Sequence, residues 1–281
     1  MKNLILYQRR ALGFVNYKKS IISCLVLITL VFGPFPAYSH SQQGDMGNSP
    51  KSKKDLLRIG ATVYKHMCVF CHGQDGNGGG DAMAYLFPWP RDFRKGVFKY
   101  RSTPFGSLPL DKDIYRTIAR GIPGTAMPAW RGALSEDETW GVVEYVKSFA
   151  KRFTKEKPKE QITHGEVPVS DAESIKRGQS IYQEMSCSRC HGTDLKGDGP
   201  IADDLYDIWD HRVFIYDLTD PNAFKFGFDK KDLFLIMTTG IDGTPMKSYN
   251  HLDDNERWDL ASFIESKINK KIYKPDRKSV V

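Results

Sequence analysis

The residue types with the clearest chemistry in this chain stand in two pentapeptides, where two cysteines three positions apart precede a histidine. Residues 68–72 read Cys-Val-Phe-Cys-His, and residues 187–191 read Cys-Ser-Arg-Cys-His. Thiols at this spacing can form thioethers to both vinyl groups of a porphyrin, and the adjacent imidazole can bind its iron. We therefore predict two covalently bound haem c groups, attached through Cys68, Cys71, Cys187 and Cys190, with His72 and His191 as iron ligands.

A methionine follows each pentapeptide at the same distance. Met127 lies 55 residues after His72, and Met246 lies 55 residues after His191. The preceding residues also repeat, as Gly-Ile-Pro-Gly-Thr-Ala-Met at 121–127 and Gly-Ile-Asp-Gly-Thr-Pro-Met at 240–246. Their place in a glycine-bounded loop favours both methionines as second axial iron ligands. Methionine is also common in hydrophobic cores, and we expect core positions for Met67, Met83, Met185 and Met237.

The duplicated pattern predicts two similar domains, each made mainly of helices. Helical spacing of apolar residues covers 55–67 and 172–185, which lead into the pentapeptides. Shorter helices are expected at 113–119 and 231–238, ending at Gly121 and Gly240 before the methionine loops. A polar, acidic stretch near residues 134 and 252 predicts the start of a closing helix in each unit. At Gly60 and Gly178 the first helices have flat spots where a closing helix could cross.

The N-terminal residues 1–39 read as an export signal. Five basic residues precede an apolar run at 21–32, and Ala37-Tyr38-Ser39 forms a small-residue cleavage pattern. The apolar run is shorter than the roughly 20 residues of a bilayer span, although its apolar character extends through Pro36. Both a cleaved signal and an uncleaved anchor are therefore compatible with the sequence.

The remaining boundaries follow from composition. We predict a flexible lead at 40–51, a first domain at 52–150, a lysine-rich and semi-extended linker at 151–170, a second domain at 171–268 and a loosely packed basic tail at 269–281.

Cys24 belongs to the signal, so the mature chain keeps only the four motif cysteines and none for a disulfide. Without the five basic signal residues the formal net charge falls from +7 to +2. The composition therefore gives no support for nucleic-acid binding.

In both units the order of helix, Cys-x-x-Cys-His-Gly, methionine loop and closing helix resembles a diheme member of the class I cytochrome c family. The resemblance covers nearly all of the mature chain. It implies a mostly α fold in which the first and last helices of each domain cross, with histidine and methionine on opposite faces of the haem. Residues 90–101 and 216–226 are also similar to segments of larger respiratory cytochromes of this type.

Other chemistries fit less well. Zinc usually needs further ligands, and the remaining histidines have no matching positions between the copies (His40, His66, His164, His211 and His251). The glycine-rich stretches 73–80 and 192–199 lack the late glutamate of a calcium loop, and we expect them to let the backbone pass close to a haem edge.

Several side chains could pair with haem propionates or could be solvated surface groups: Arg91, Arg94, Lys99, Tyr100, Arg101, Trp130 and Lys225.

The expected function is an exported, periplasmic diheme carrier that passes single electrons between respiratory redox proteins. With both axial positions filled by protein, neither iron has a vacancy for a substrate, so no enzymatic activity is expected. Two alternatives remain. One is a diheme enzyme similar to a peroxidase or a thiosulfate dehydrogenase, which would need an open or unusually ligated iron. The other is a fixed electron-transfer subunit of a membrane-associated respiratory complex.

Overall fold

The computed structural model describes Ser49 and residues 51–274. The predicted signal or anchor at 1–39, including Cys24, lies outside the described residues, as do most of the lead at 40–51 and positions 275–281 of the tail. Between residues 51 and 274, no helix has both the length and the apolar character to cross a bilayer.

Helices and loops make up the described chain, and its β structure is limited to two isolated bridges. The first half contains α1 (Lys53–Met67), α2 (Val69–His72), α3 (Asp111–Arg120), α4 (Glu136–Ser148) and α5 (Arg152–Lys155). The second half contains α6 (Ala172–Glu184), α7 (Ser188–His191), α8 (Lys230–Thr239) and α9 (Asp254–Lys267). Short 3₁₀ turns lie at Met83–Tyr85, Ala202–Asp204, Pro221–Ala223 and Lys270–Ile272. The predicted mostly α fold is confirmed.

The closing helices begin at the acidic stretches, as the sequence predicted, and the structure shows a reciprocal capping box at each start. At α4 the Ser135 hydroxyl accepts from the backbone N–H of Glu138, and the Glu138 carboxylate accepts from the backbone N–H of Ser135 at 2.8 Å. Asp253 and Glu256 exchange the same two bonds at α9, each at 2.8 Å. These bonds satisfy N–H groups that the helix itself leaves without a partner.

In each domain the first and last helices cross at a glycine. A Cβ built on Gly60 of α1 would lie within 3.0 Å of the carbonyl oxygen of Gly141 in α4. A Cβ built on Gly178 of α6 would lie equally close to the carbonyl oxygen of Asp259 in α9. Only a residue without a side chain allows backbones to approach this closely, so the predicted crossing points are confirmed.

Each domain has its own hydrophobic core beneath this crossing. The first core consists of Leu56, Val63, Tyr64, Phe93, Ile114, Ile118, Trp140, Val142, Val143 and Val146. The second consists of Ile181, Tyr182, Leu195, Leu233, Phe234, Met237, Leu252, Trp258, Leu260, Ala261, Phe263, Ile264 and Ile268. Two separate cores are what a tandem repeat of small domains requires.

The second domain has one extra residue between the core tyrosine of its first helix and its pentapeptide, since Cys68 lies four positions after Tyr64 and Cys187 lies five positions after Tyr182. Cys68 directly caps α1 and donates its N–H to the carbonyl of Tyr64, whereas Ser186 is inserted before Cys187. Ser186 adopts a positive φ of 56°, and Cys187 then donates to the carbonyl of Tyr182. A left-handed backbone conformation costs free energy for any residue except glycine. Here it accommodates the extra residue, so the first cysteine of each motif still donates to the carbonyl of the equivalent tyrosine.

Much of the segment expected to be a semi-extended linker is held against the domains. Arg152 in the helical turn α5 donates to the carbonyls of Gly96 and Gly106 at 3.0 and 2.9 Å. Farther along, the N–H of Ile162 donates to the carbonyl of Ser102 at 2.8 Å. Because a chain with such bonds at both ends has little freedom, residues 152–162 are fixed along the first domain. The ring of His164 then packs edge-on against Trp258 of the second domain, so the segment contacts both domains.

The described part of the basic tail also differs from the loose packing expected for it. The N–H of Asn269 donates to the carbonyl of Thr219 at 2.9 Å. The Asn222 side chain donates to the carbonyl of Ile272 at 3.1 Å, and the ring of Tyr273 packs edge-on against Phe228. Polar and aromatic contacts therefore hold residues 269–274 on the second domain.

We expect Gly60→Ala and Gly178→Ala each to lower the free energy of unfolding by about 1 kcal/mol, the overpacking cost less the propensity gain. Overpacking costs about 1–3 kcal/mol, and it works against a helix-propensity gain of about 1 kcal/mol. Chemical denaturation followed by far-UV circular dichroism measures the change. Gly165→Ala is the control, because no atom lies within 4 Å of a Cβ there. Equal stability of all three variants would contradict a steric requirement at the crossings.

Candidate haem-binding sites

The two pentapeptides form one helical turn each. In α2 the N–H of His72 donates to the carbonyl of Cys68 at 2.9 Å, and in α7 His191 donates to Cys187 at the same distance. Residues three and four positions apart share one face of a helix. The turn therefore presents both thiols and the imidazole of each motif in the same direction.

The four cysteines are half-buried free thiols, and none forms a disulfide. Burial raises the pKa of Cys68 and of Cys187 to about 11. A thiol with so high a pKa is scarcely ionised at neutral pH and is a poor nucleophile. The motifs therefore do not fit a redox-active dithiol, which needs a lowered pKa.

Both motif histidines are held in the neutral form. Burial lowers the pKa of His72 and of His191 to about 4. His72 stacks on Phe93 with 4.7 Å between ring centroids, and its Nδ1 lies 3.4 Å from the carbonyl oxygen of Arg91. His191 Nδ1 is buried without a hydrogen-bond partner among the described residues. A neutral imidazole whose Nδ1 faces the protein offers Nε2 to a metal.

Glycines after each motif bring a second backbone segment close to it. Gly78 and Gly197 have φ values of 80° and 78°, and a Cβ on either would lie 2.5 Å from a carbonyl oxygen, of Pro90 or of Ile215. In the structure their close contact is with protein backbone, and it places Arg91 beside His72.

The methionine loops share one hydrogen-bond framework. In the first loop the N–H of Ile122 donates to the carbonyl of Met127 at 3.1 Å, and the N–H of Met127 donates to the hydroxyl of Thr125 at 3.2 Å. That hydroxyl donates in turn to the carbonyl of Ile122 at 2.8 Å. The second loop repeats all three bonds in Ile241, Thr244 and Met246. Sequence reasoning missed the two threonines, although both stand at the same place in the repeat.

Neither loop methionine belongs to a hydrophobic core. Met127 and Met246 are half-buried and lie outside both cores, whereas Met237 is 3% exposed within the second core and Met185 packs against it. Met67 differs from the expectation of a core residue, since 51% of it is exposed. The side chains of the loop methionines therefore have no packing role in the described cores.

The residue three positions after each methionine connects its loop to the cysteine motif. Trp130 and Cys68 pack against the same core in the first domain. In the second domain Tyr249 and Cys187 do so, and the Tyr249 hydroxyl lies beside the Cys187 thiol. Burial, with Cys187 as a smaller contribution, raises the pKa of Tyr249 to about 12. The fold therefore brings the methionine loop and the motif of each domain to one core.

Two half-buried cations lack a carboxylate partner. Neither Arg91 nor Lys99 forms an ion pair within residues 51–274. Burial lowers the pKa of Arg91 to about 10 and that of Lys99 to about 8, where the nearby positive charge of Arg91 contributes. A desolvated cation needs an anion, and the carboxylates of a haem supply one. Together with the thiols and neutral imidazoles, these residues fit a covalently bound haem.

The other candidate propionate partners are placed differently. Arg94 is exposed and paired with Asp92 at 2.9 Å, and Arg101 is buried against Asp242 at 2.9 Å. The Lys225 ammonium lies 4.6 Å from the centre of the Tyr216 ring. Tyr100 stacks on Phe226, and Trp130 packs on the first core. Lys225 is also half-buried and forms no ion pair within residues 51–274, and burial lowers its pKa, so it joins Arg91 and Lys99 as a cation without a carboxylate partner.

The profile of one protein family matches both domains. The family is described as "Cytochrome C oxidase, cbb3-type, subunit III", and the matches cover residues 55–146 and 173–264. The chain belongs to this family. It is a diheme class I cytochrome c, as the sequence resemblance predicted. The family implies covalently bound haem c, and two matched domains imply two such groups.

Curated relatives carry names from the same oxidase. The chain is 23% identical over 237 residues to "Cbb3-type cytochrome c oxidase subunit CcoP" of Helicobacter pylori (strain 52), which is 81% of this chain and 64% of that relative. It is 26% identical over 171 residues to "Cbb3-type cytochrome c oxidase subunit FixP" of Sinorhizobium medicae (strain WSM419), 57% of this chain and 48% of that relative. The chain thus spans less than two thirds of the length of either relative.

A solved structure shows the same arrangement at higher identity. A chain of the "Kuenenia stuttgartiensis reducing HAO-like protein complex Kustc0457/Kustc0458" superimposes with a TM-score of 0.73 and is 38% identical. The match covers 75% of this chain and 96% of that chain. Nearly the whole of the solved chain therefore has a counterpart here.

We expect Thr125→Val and Thr244→Val each to weaken the iron ligation predicted for the methionine of its own loop, Met127 or Met246. Each substitution keeps the shape of the side chain but removes a hydroxyl that closes the loop. Each hydroxyl makes two hydrogen bonds, and a net loss of about 1 kcal/mol for each bond lowers the ratio of closed to open loop conformations roughly thirtyfold. The far-red absorption of methionine-bound ferric haem measures the closed fraction.

Thr117→Val is the matched control for both variants. Its hydroxyl donates to the carbonyl of Asp113 within α3 and has no bond to a methionine loop. A spectrum of Thr125→Val or Thr244→Val that equals that of Thr117→Val would contradict a role for the threonines in ligation.

Proposed function

We propose that this chain is an exported, periplasmic diheme cytochrome that carries single electrons between respiratory redox proteins. Cys68, Cys71, Cys187 and Cys190 hold the two haems by thioether bonds. His72 with Met127, and His191 with Met246, are the axial ligands. The observation that carries this proposal is the shared framework of both domains, in which a rigid motif turn and a hydrogen-bonded methionine loop meet at one core.

When bound, each haem supplies a one-electron iron couple. The protein has three tasks around it. The motif turn holds a neutral imidazole, because burial keeps the pKa of His72 and His191 near 4. The methionine loop offers a thioether, which favours the reduced iron relative to a second imidazole and so raises the potential. Arg91 and Lys99 balance negative charge from inside the protein.

These features favour electron transfer over catalysis. Each proposed iron site draws both axial ligands from the chain, which leaves no coordination position for peroxide or another substrate. The names of the curated relatives, which are oxidase subunits, agree with a place in electron transport. The donor and acceptor are therefore redox proteins, and nucleic acid has no part in the proposal.

A fixed electron-transfer subunit of a larger complex is the second candidate. The match to a chain of a reducing HAO-like protein complex supports it, because it covers 96% of that chain at 38% identity. The same two sites serve both candidates. They differ in whether the cytochrome leaves its partner between electron transfers.

We expect Met127→Ala and Met246→Ala each to remove about half of the far-red absorption of the oxidised holoprotein, and the double variant to remove all of it. Each variant is also expected to shift one of two steps in a redox titration to lower potential, because a methionine thioether raises the potential of the iron. Haem stain after denaturing electrophoresis checks that both groups remain attached.

Met237→Ala serves as the control, because this methionine lies in the second core. It is expected to lower stability by about 2–5 kcal/mol without loss of the far-red absorption. A double variant of Met127 and Met246 with the wild-type spectrum would contradict the proposed ligands.

Native purification distinguishes a free carrier from a fixed subunit. We expect a carrier to elute as a diheme protein of one chain, with a mature N-terminus near His40, whereas a fixed subunit co-elutes with a second redox protein through high salt. Size-exclusion chromatography with N-terminal sequencing reads both properties. Elution with a partner at every salt concentration would overturn the carrier and favour the subunit.

A further inference from the structure

We propose that Arg101 of the first domain is a positioning residue for Met246 of the second domain. This role rests on the proposed ligation of iron by Met246. It makes the second haem site depend on a side chain from the other half of the molecule, which the repeated motifs do not show.

The geometry at Arg101 joins the two domains directly. Its side chain is 0% exposed, and its Nη2 donates to Asp242 Oδ1 at 2.9 Å and to the carbonyl oxygen of Thr239 at 3.0 Å. Thr239 is the last residue of α8, and Asp242 stands four residues before Met246. One guanidinium group therefore holds the end of the helix and the beginning of the methionine loop.

The other hydrogen bonds to the Asp242 carboxylate also come from the first domain. The backbone N–H of Gly106 lies 3.2 and 3.1 Å from its two oxygens. Gly106 is itself held through its carbonyl, which accepts from Arg152 at 2.9 Å. In the part of the chain that the structure describes, every bond to this carboxylate thus ties the second loop to the first domain.

The segment that supplies Arg101 is rigidly attached within its own domain. Next to it, the N–H and the hydroxyl of Ser102 both donate to Asp113 Oδ2, at 2.9 and 3.0 Å. Asp113 is 1% exposed and belongs to α3, the helix that leads to the Met127 loop. A bond network anchored in this way can fix the position of the group that it holds.

Only the second loop has the charged group that this contact needs. Pro123 occupies the place in the first loop that Asp242 occupies in the second. The internal hydrogen bonds of the two loops are otherwise the same. Proline at this place is therefore compatible with the loop conformation, and the carboxylate of Asp242 serves the contact between domains.

The test compares Asp242→Asn with a double variant, Arg101→Met with Asp242→Pro, in the holoprotein. The double variant removes both buried charges, so no unpaired charge threatens folding. We expect each to lose up to about half of the far-red absorption, and one of the two redox steps to move to lower potential.

The direction in which the reduction potential shifts distinguishes a positioning role from a direct effect of the lost charge. Removal of a carboxylate alone takes a negative charge away and so raises the potential of a nearby iron. A loosened thioether lowers it. Asp259→Asn is the matched control, because Asp259 forms an ion pair with Arg177 within the second domain, away from the loop.

Three results would overturn the proposal, and each has a different meaning. If Met246→Ala reduces the far-red absorption while Asp242→Asn and the double variant keep it, Arg101 has no positioning role. If Met246→Ala itself leaves the spectrum unchanged, the proposed ligand is wrong and the role of Arg101 falls with it. Loss of absorption in Asp259→Asn to the same extent would also overturn the proposal, because the effect would then not be specific to the loop.

Discussion

The close crossing of the first and last helices is the contact on which the rest of each domain depends. At Gly60 and Gly178 the two backbones approach to a distance that no side chain would allow. The first helix leads into the cysteine motif and the last helix follows the methionine loop. One steric constraint therefore fixes both ends of the segment that surrounds each haem-binding site. The site is built from short turns and loops, which would have little stability without this frame.

Burial around the motif serves two purposes at once. It keeps His72 and His191 neutral, with pKa values near 4, and it raises the pKa of the first cysteine in each motif to about 11. The same low-polarity surroundings make positive charge costly at Arg91 and Lys99. Neutral imidazoles beside unbalanced cations form an environment that is suited to an anionic, apolar macrocycle.

The two copies of the repeat have diverged where they meet. The second domain has Asp242 in its methionine loop, where it pairs with Arg101 of the first domain. Its Trp209 lies against Arg91 of the first domain with 4.0 Å between guanidinium carbon and ring centroid. The residues that make these contacts are not part of the repeated motifs. The two domains therefore share the same helices and loops, but the contact between them gives the two haem-binding sites different neighbouring residues.

The sequence by itself determined the helices, the crossing glycines and the candidate ligand set. These depend on local signals, which are the spacing of Cys68, Cys71 and His72 on one helical turn, the polar starts of α4 and α9, and an equal distance from each histidine to a methionine. The tertiary structure alone decided which cations lose their solvent, that Thr125 and Thr244 close the loops, and that Arg101 reaches Asp242 across the domains. Burial and hydrogen bonds between distant residues depend on how the chain packs, and no local pattern encodes a contact over 141 positions between Arg101 and Asp242.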